Sequence, residues 1–333
     1  MLLELGYRNC LELSQIGIGM ILALAMIVGC RQSAPESSAD RPSHQDQISQ
    51  KSKDDPEVVA EKGFEAPPNS TARPVNSILD SIERWGGIYR RRNREAGAPI
   101  TVLLLNRSGI TDAGMEELSA LSDLRVLDLE STGITSAALR HLKSLSQLET
   151  INLGNTKIDD GALERLQDLN QLVGLALDQT EISDDGLPPL QSLKQLESLN
   201  LSNTPISGSG LQYLSELDSL VALDLSFTKV DDNGVSHLSG LKSLQTLGLG
   251  RTQVTSDCIQ YLNGLELQGL NLGGNDLDDR AVDELSKLTS LKRLSLIGTG
   301  ISQSGVQKLR QALPSTVIQY APPGRDTEKL TPN

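Results

Sequence analysis

An aliphatic residue followed by Ser, Thr or Asp returns at a fixed beat along the chain. It stands at Ile110, Ile134, Ile158, Ile182, Ile206, Val230, Val254, Leu277 and Ile301. The interval is 24 residues each time, except for 23 between Val254 and Leu277. A period in this range cannot come from one closed core. Each unit is too short to bury its own apolar face, so successive units must stack into a solenoid.

The two halves of a unit follow from their spacing. Leu127 and Leu129 flank Asp128. In a strand, residues two apart share a face, so both leucines point inward and Asp128 points out. The pair recurs as Ile151/Leu153, Leu175/Leu177, Leu199/Leu201, Leu223/Leu225, Leu247/Leu249, Leu270/Leu272 and Leu294/Leu296, with Leu103/Leu105 and Ile318/Tyr320 at the ends. Ten short parallel strands at their usual spacing make an array on the order of 45 Å long. Leu139, Leu142 and Leu145 then mark the buried stripe of a helix.

The residue after each beat is Ser, Thr or Asp in all nine units, the types that accept a hydrogen bond from the free N–H groups of a first helical turn. The next position is acidic at Asp112, Asp160, Asp184, Asp232 and Asp279, which suits the positive end of a helix dipole. Two positions further on the residue is small: Gly114, Ala138, Ala162, Gly186, Gly210, Gly234, Cys258, Ala281 and Gly305. Tight packing of backbone on the neighbouring unit is expected there. Two residues before the beat stands Ser108, then Thr seven times, with Asn275 as the exception. Its side chain is expected to satisfy buried backbone groups at the turn out of the strand. The single deletion, between Leu265 and Leu267, falls in a loop.

The phrase L-x-x-L-x-L-x-x-T-x-I-[TSD]-D-x-G-L-x-x-L-x-x-L resembles the leucine-rich repeat family, in the variant with helical outer sides and Thr in place of Asn. The resemblance covers about residues 100–320. It implies an α/β fold: a right-handed solenoid, or horseshoe, with parallel strands on the concave face and short helices on the convex face. It also implies binding on the concave face, with no shared ligand and no shared chemistry.

Flanking segments divide the rest. Ile16–Val28 is an apolar run of thirteen residues, short for a spanning helix and suited to a signal-peptide core. It ends Ile27-Val28-Gly29-Cys30, which resembles the lipobox of bacterial lipoproteins, whose Cys becomes the lipidated first residue. The leader departs from that pattern, holding Glu4 and Glu12 against Arg8. Residues 1–29 are therefore expected to be a signal peptide or an uncleaved membrane anchor, with Cys30 as the lipidation site. Residues 30–75 are polar enough to form a disordered tether. In 76–99, Ile78, Ile82 and Trp85 form one stripe, Gly86-Gly87 stops the helix, and Ile88–Arg91 pairs with Thr101–Leu105 as a hairpin. This reads as an N-terminal cap with the single Trp sealing the first leucine layer. Pro314 ends the last helix, Thr316–Tyr320 closes the sheet, and 321–333 is a loose tail.

The formal net charge of −13 argues against nucleic-acid binding, which needs a basic surface. One basic cluster, Arg84, Arg90, Arg91, Arg92 and Arg94, lies on the cap: a solvated hairpin, or a contact for anionic headgroups or an acidic partner. Three cysteines make no disulfide framework; Cys10 is in the leader, and Cys258 fills a small buried slot. His141 and His237 share a slot four units apart, roughly 20 Å by strand spacing, too far for one metal. Tyr213 and Tyr261 fill that slot too, and His44 lies in the tether. Gly273-Gly274 is a turn. The pairs Asp159-Asp160, Asp184-Asp185, Asp231-Asp232 and Asp278-Asp279 suit helix capping or weak calcium binding between loops. No cofactor is implied.

The concave positions are Asp128, Asn152, Ala176, Asn200, Asp224, Gly248, Asn271 and Ser295, flanked by Glu130, Asp178, Ser202, Ser226 and Gly250. Phe227 and Arg251 hold equivalent slots in adjacent units and should lie side by side, as an anchor pair of the type that dominates interfaces, unless Phe227 merely covers a turn. Phe227, Arg251, Asp178, Asp224, Asp128 and Glu130 are the candidate partner-binding residues; no catalytic or metal-binding constellation stands out. The reading is a non-enzymatic, membrane-tethered, extracytoplasmic protein-binding lipoprotein, monomeric, with an unknown protein partner. Two alternatives are an adaptor like the F-box ubiquitin-ligase proteins, which needs an apolar helical module that 31–75 does not offer, and an enzyme with an unrecognised site.

Overall fold

A computed structural model describes residues 75–321 apart from Arg94 and Ala96. The leader, Cys10, Cys30, His44, the tether up to residue 74, Arg94 and the tail beyond Ala321 lie outside the described residues. Eleven strands form one open sheet in chain order. β1 (Ile88–Arg91) pairs antiparallel with β2 (Ile100–Leu104), Ile88 opposite Leu104. From β2 onward all pairing is parallel, through β3 (Val126–Asp128), β4 (Thr150–Asn152), β5 (Gly174–Ala176), β6 (Ser198–Asn200), β7 (Ala222–Asp224), β8 (Thr246–Gly248), β9 (Gly269–Asn271), β10 (Arg293–Ser295) and β11 (Val317–Gln319). The ten parallel strands fall where the Leu-x-Leu pairs place them.

The register is in phase throughout: Leu127 pairs with Ile151, Ile151 with Leu175, Leu175 with Leu199. Each aliphatic side chain therefore stacks on its counterpart in the next unit, and these columns merge into one buried core. The short interval leaves this register intact, since Thr246 still pairs with Gly269. The missing residue is absorbed before β9, where Gly264 takes a left-handed conformation (φ +88°) that favours glycine.

The convex side departs from a uniform row of α-helices. Only α2 (Asp112–Leu118), α3 (Asp232–Ser236), α4 (Ala281–Leu285) and α5 (Gln303–Ala312) are α-helical. The other five units carry tighter 3₁₀ turns, such as Ser136–Ser144 and Ser256–Leu262. Leucines three apart fit three residues per turn as well as they fit one α-helical stripe, so the spacing does not separate the two. Pro188 and Pro189, which carry no N–H, interrupt the turn after Gly186.

Side-chain caps form in seven of the nine units. Asp231 and Ser302 each accept from the N–H of a glycine three residues on, and Thr135, Asp159, Ser183, Thr255 and Asp278 from the residue two on. Thr111 makes no such bond, and Ser207 turns to Asp184 instead. The acidic position after the cap has a role beyond the dipole. Asp112 accepts from both the N–H (2.8 Å) and the hydroxyl (2.6 Å) of Thr135 in the next unit. Asp160 does the same with Ser183, Asp184 with Ser207, Asp232 with Thr255 and Asp279 with Ser302. Where this position is a hydroxyl, the next cap is the acid: Ser136 donates to Asp159 and Ser256 to Asp278. At Gly208 there is no side chain to contribute, and the backbones close in: a Cβ there would sit 2.9 Å from Gly234 Cα. The small slot makes room for this ladder, because a Cβ at Gly186 or Gly305 would fall 2.4 Å from the bridging oxygen of Asp160 or Asp279.

The Thr column donates to the carbonyl three residues back, as Thr204 to Leu201 and Thr228 to Leu225, both 2.6 Å. Asn275 extends that role across two units, its amide donating to Leu249 and Leu272 while its oxygen accepts from the N–H of Thr252. At the N-terminal end α1 (Val75–Trp85) starts one residue before the expected boundary. Ile78 and Ile82 are buried, and the Trp85 ring lies so close to α2 that a Cβ on Gly114 would meet it at 2.7 Å. At the other end the Tyr320 hydroxyl donates to the Ile301 carbonyl.

Candidate partner-binding face

The outward residues of the strands run in one row across the sheet: Asp128, Asn152, Ala176, Asn200, Asp224, Gly248, Asn271 and Ser295 are register partners in succession. Small and polar side chains leave this row low. Asp128 and Asp224 are each held by a backbone N–H two residues on, from Glu130 and Ser226. Asn152 donates to Glu130 (3.4 Å) and Asn200 to Asp178 (3.0 Å). Asp178 leans over the side-chain-free Gly154, its Oδ1 lying 2.7 Å from where a Cβ would stand.

Just past the strands the chain makes the same left-handed turn in every unit. Arg107, Ser131, Asn155, Gln179, Asn203, Phe227 and Arg251 all have φ between 50° and 61°, and Gly274 and Gly298 continue the series. Each N–H there donates to the next unit, Phe227 to the Gly250 carbonyl and Arg251 to Gly273. The sequence places a turn here, but its left-handed conformation was not foreseen, although Asn155, Asn203, Gly274 and Gly298 occupy one slot and are the types that tolerate it. It throws the side chain outward. Phe227 is 55% exposed. The Arg251 guanidinium carbon lies 5.4 Å from its ring centroid, a cation–π contact worth about 0.5–1 kcal/mol at an exposed site. The Arg251 stem lies against Gly274, where a Cβ would come within 2.7 Å of Cγ. The two side chains are therefore side by side, with the Arg251 stem held against the next turn.

Burial is the main reason that Asp128, Glu130 and Asp178 hold their protons above the ordinary carboxylate range. Mutual repulsion adds to it: Asp178 acts on Asp128, Asp128 on Glu130, and Glu130 and Asp224 on Asp178. Arg107 opposes this at Glu130. A raised folded-state value means that the charged form costs stability at neutral pH, and that the cost disappears as pH falls through the raised value. The bridging Asp184 and Asp279 are shifted the other way by their bonds to Ser207 and Ser302, so their contribution is present at neutral pH and lost in stronger acid. The melting temperature should therefore rise as the solution is acidified from neutrality towards the ordinary carboxylate range, before it falls in stronger acid. Asp128→Asn with Asp178→Asn should flatten that rise. A native profile that only falls from neutrality would contradict the assignment.

Other residues singled out in the sequence are accounted for structurally. Cys258 is fully buried, and burial pushes its thiol up to about 12, so it stays protonated. Tyr213 and Tyr261, on the outer side, are half-buried and packed against the core. All members of the acidic pairs except Asp185 are engaged in caps and bridges, and among the described residues no three His, Cys, Asp or Glu side chains converge as metal ligands. On the cap Arg91 stacks on Tyr89 at 5.6 Å and Arg92 pairs with Asp123 at 2.7 Å. An open cleft of about 410 Å³ at the leading rim, between Val221, Lys242 and Gln268, was not foreseen; it is polar and carries both charge signs.

In-phase leucine columns, parallel strands on the concave side and short turns on the convex side are the fold of a leucine-rich repeat solenoid. A family model described as "Leucine Rich repeat" matches residues 193–215 and 218–239. No curated protein matches significantly. Among solved structures, an internalin (inlF) from Listeria monocytogenes str. 4b F2365 is similar with a TM-score of 0.54 and 22% identity, over 65% of this chain and 58% of that one. Internalin C2 from the same strain gives 0.44 and 23%, over 67% and 81%. This chain thus spans 58% of the first internalin, and the likeness at such identities concerns the fold.

Proposed function

We propose that this chain is a non-enzymatic scaffold that binds a protein partner on its concave face, held to a membrane on the outer side of the cytoplasm through its N-terminus. The observation that carries the binding reading is the exposed Phe227–Arg251 pair, stacked on each other at the rim of the sheet just past the strand that carries Asp224. Aromatic and Arg side chains in fixed positions are what interfaces use as anchors. Affinity capture of envelope proteins by the full-length chain, compared with capture by Phe227→Ala/Arg251→Ala, tests it: a partner lost with the double substitution supports the reading.

The address rests on the apolar run before Cys30. No helix among the described residues is long and apolar enough to cross a membrane. Lipidation at Cys30 should place the protein in the membrane fraction, and Cys30→Ser should release it or leave its leader uncleaved. Growth with a labelled fatty acid gives the check. Label that never enters a membrane-bound protein favours the uncleaved anchor instead.

A further inference from the structure

The sheet ends differently on its two sides. At the first, β1 runs antiparallel to β2, and α1 covers the opening leucine layer. At the other, β11 is the last strand, and no element follows it among the described residues. The repeat shows what this leaves open. In a parallel ladder successive residues turn their N–H and carbonyl groups to alternate sides. Val317 donates to the Lys292 carbonyl and Gln319 accepts from Leu296, so both face β10. Ile318 and Tyr320 therefore point theirs outward. In earlier units the residue in the Tyr320 slot donates to the next strand, as Leu272 to Ser295 (3.0 Å) and Leu296 to Gln319 (2.8 Å). Tyr320 has no such strand ahead of it. Its side chain and that of Ile318 prolong the inward columns but stay half-buried, and Val317 is exposed.

The charge changes sign at the same end. The chain carries −13 in all, yet no Asp or Glu stands between Glu284 and Asp326. That stretch holds Lys287, Lys292, Arg293, Lys308 and Arg310. Lys287 pairs with Glu284, and Lys292 donates to Gln268. Arg293 is the register partner of Val317 on the concave side, and Lys308 and Arg310 stand exposed on α5 on the convex side. Cations thus flank the edge on both faces of the sheet. The strand itself, Val317-Ile318-Gln319, carries neither charge nor proline, the usual devices that keep an edge from pairing. We propose that β11 is a docking edge for an extended acidic segment of a protein partner, which joins the sheet as one more parallel or antiparallel strand. Its backbone pairs with Ile318 and Tyr320, alternate aliphatic residues cover the ends of the leucine columns, and the intervening Asp or Glu residues lie toward Arg293. A second copy is disfavoured, because it brings an end of the same sign. The proposal goes beyond the concave-face reading and does not depend on it, since Phe227 and Arg251 follow β7 and β8.

The test uses the full-length protein in detergent at low salt and a short fluorescent peptide of alternating Glu and Val, read by anisotropy. Two controls separate the contributions. Lys in place of Glu reverses the charge, and N-methylation of the central amides keeps the charge but removes the backbone donors. The acidic peptide should bind and neither control should. Arg293→Gln/Arg310→Gln should weaken binding about fivefold, and the difference should shrink as salt is added, as for exposed charges. Ile318→Pro removes an outward N–H while leaving the bonds of Val317 and Gln319 to β10, and should abolish binding. Arg140→Gln/Lys143→Gln, at exposed convex positions of a distant unit, makes the same change of charge and should have no effect. Melting curves confirm that each variant is folded. An acidic peptide that fails to bind overturns the proposal, whether the edge is then open or filled by the chain's own tail. Equal binding of either control peptide, or an equal loss in the distant variant, overturns it too. A dimer of the free protein, seen by light scattering and lost with Ile318→Pro, would give the edge to a second copy instead.

Discussion

Leu201→Ala should lower the stability of the folded chain by about 2–5 kcal/mol, the cost of lost burial plus the cavity that remains. Leu201 is 0% exposed and follows β6 in the middle of the solenoid, its column neighbours being Leu177 and Leu225. Strand registry fixes those neighbours, so neither backbone can slide in to fill the gap. In a stacked array each unit is stabilised by its two interfaces, and this one substitution damages both. Urea titration followed by circular dichroism measures the loss. Val317→Ala, at a 63% exposed position on the last strand, should stay within about 0.5 kcal/mol. A Leu201 variant no weaker than the Val317 variant would mean that the columns are not the source of cohesion.

The double substitution Phe227→Ala/Arg251→Ala should weaken binding of the captured partner by more than about 1 kcal/mol, the threshold that separates anchors from mere contacts. Both residues lie past the strands with exposed tips, and the turn that holds them is made by backbone bonds to Gly250 and Gly273. Alanine keeps those bonds, so circular dichroism should be unchanged while the dissociation rate rises. Unchanged affinity in a folded double variant would move the site away from this rim.

The sequence carried the fold further than it carried the face. Leucines two apart locate every strand of the parallel sheet, because a strand has one inward side and the period repeats it. Thr204 and its equivalents were legible for the same reason, as an in-phase polar residue at a buried turn must answer to backbone. Helix type was not legible: Leu139, Leu142 and Leu145 lie on one stripe in either an α or a 3₁₀ geometry. Asp160 and Asp184 suit a helix N-terminus when viewed one unit at a time, and their hydrogen-bond partners lie 23 residues on. Phe227 and Arg251 were paired by their slot alone.

The acid–hydroxyl ladder means that the repeats, alike as they look, are not interchangeable parts. Each presents an acid or a hydroxyl to the unit before it, and independently an acid or a hydroxyl to the unit after, the Gly208 junction apart. The unit starting at Ser183 offers a hydroxyl backward and Asp184 forward, so a duplicate of it would mate with itself. The unit starting at Asp159 offers an acid on both sides, and a tandem copy would set Asp160 against a second Asp159 with no proton to share. Excising the unit of Thr135 and Ser136 would bring Asp112 onto Asp159, whereas excising that of Ser183 would bring Asp160 onto Ser207 and keep the rung. Such an array has a word order: it can lengthen or shorten by recombination where the new neighbours still form a donor and an acceptor, or where, as at Gly208, a missing side chain lets the backbones close.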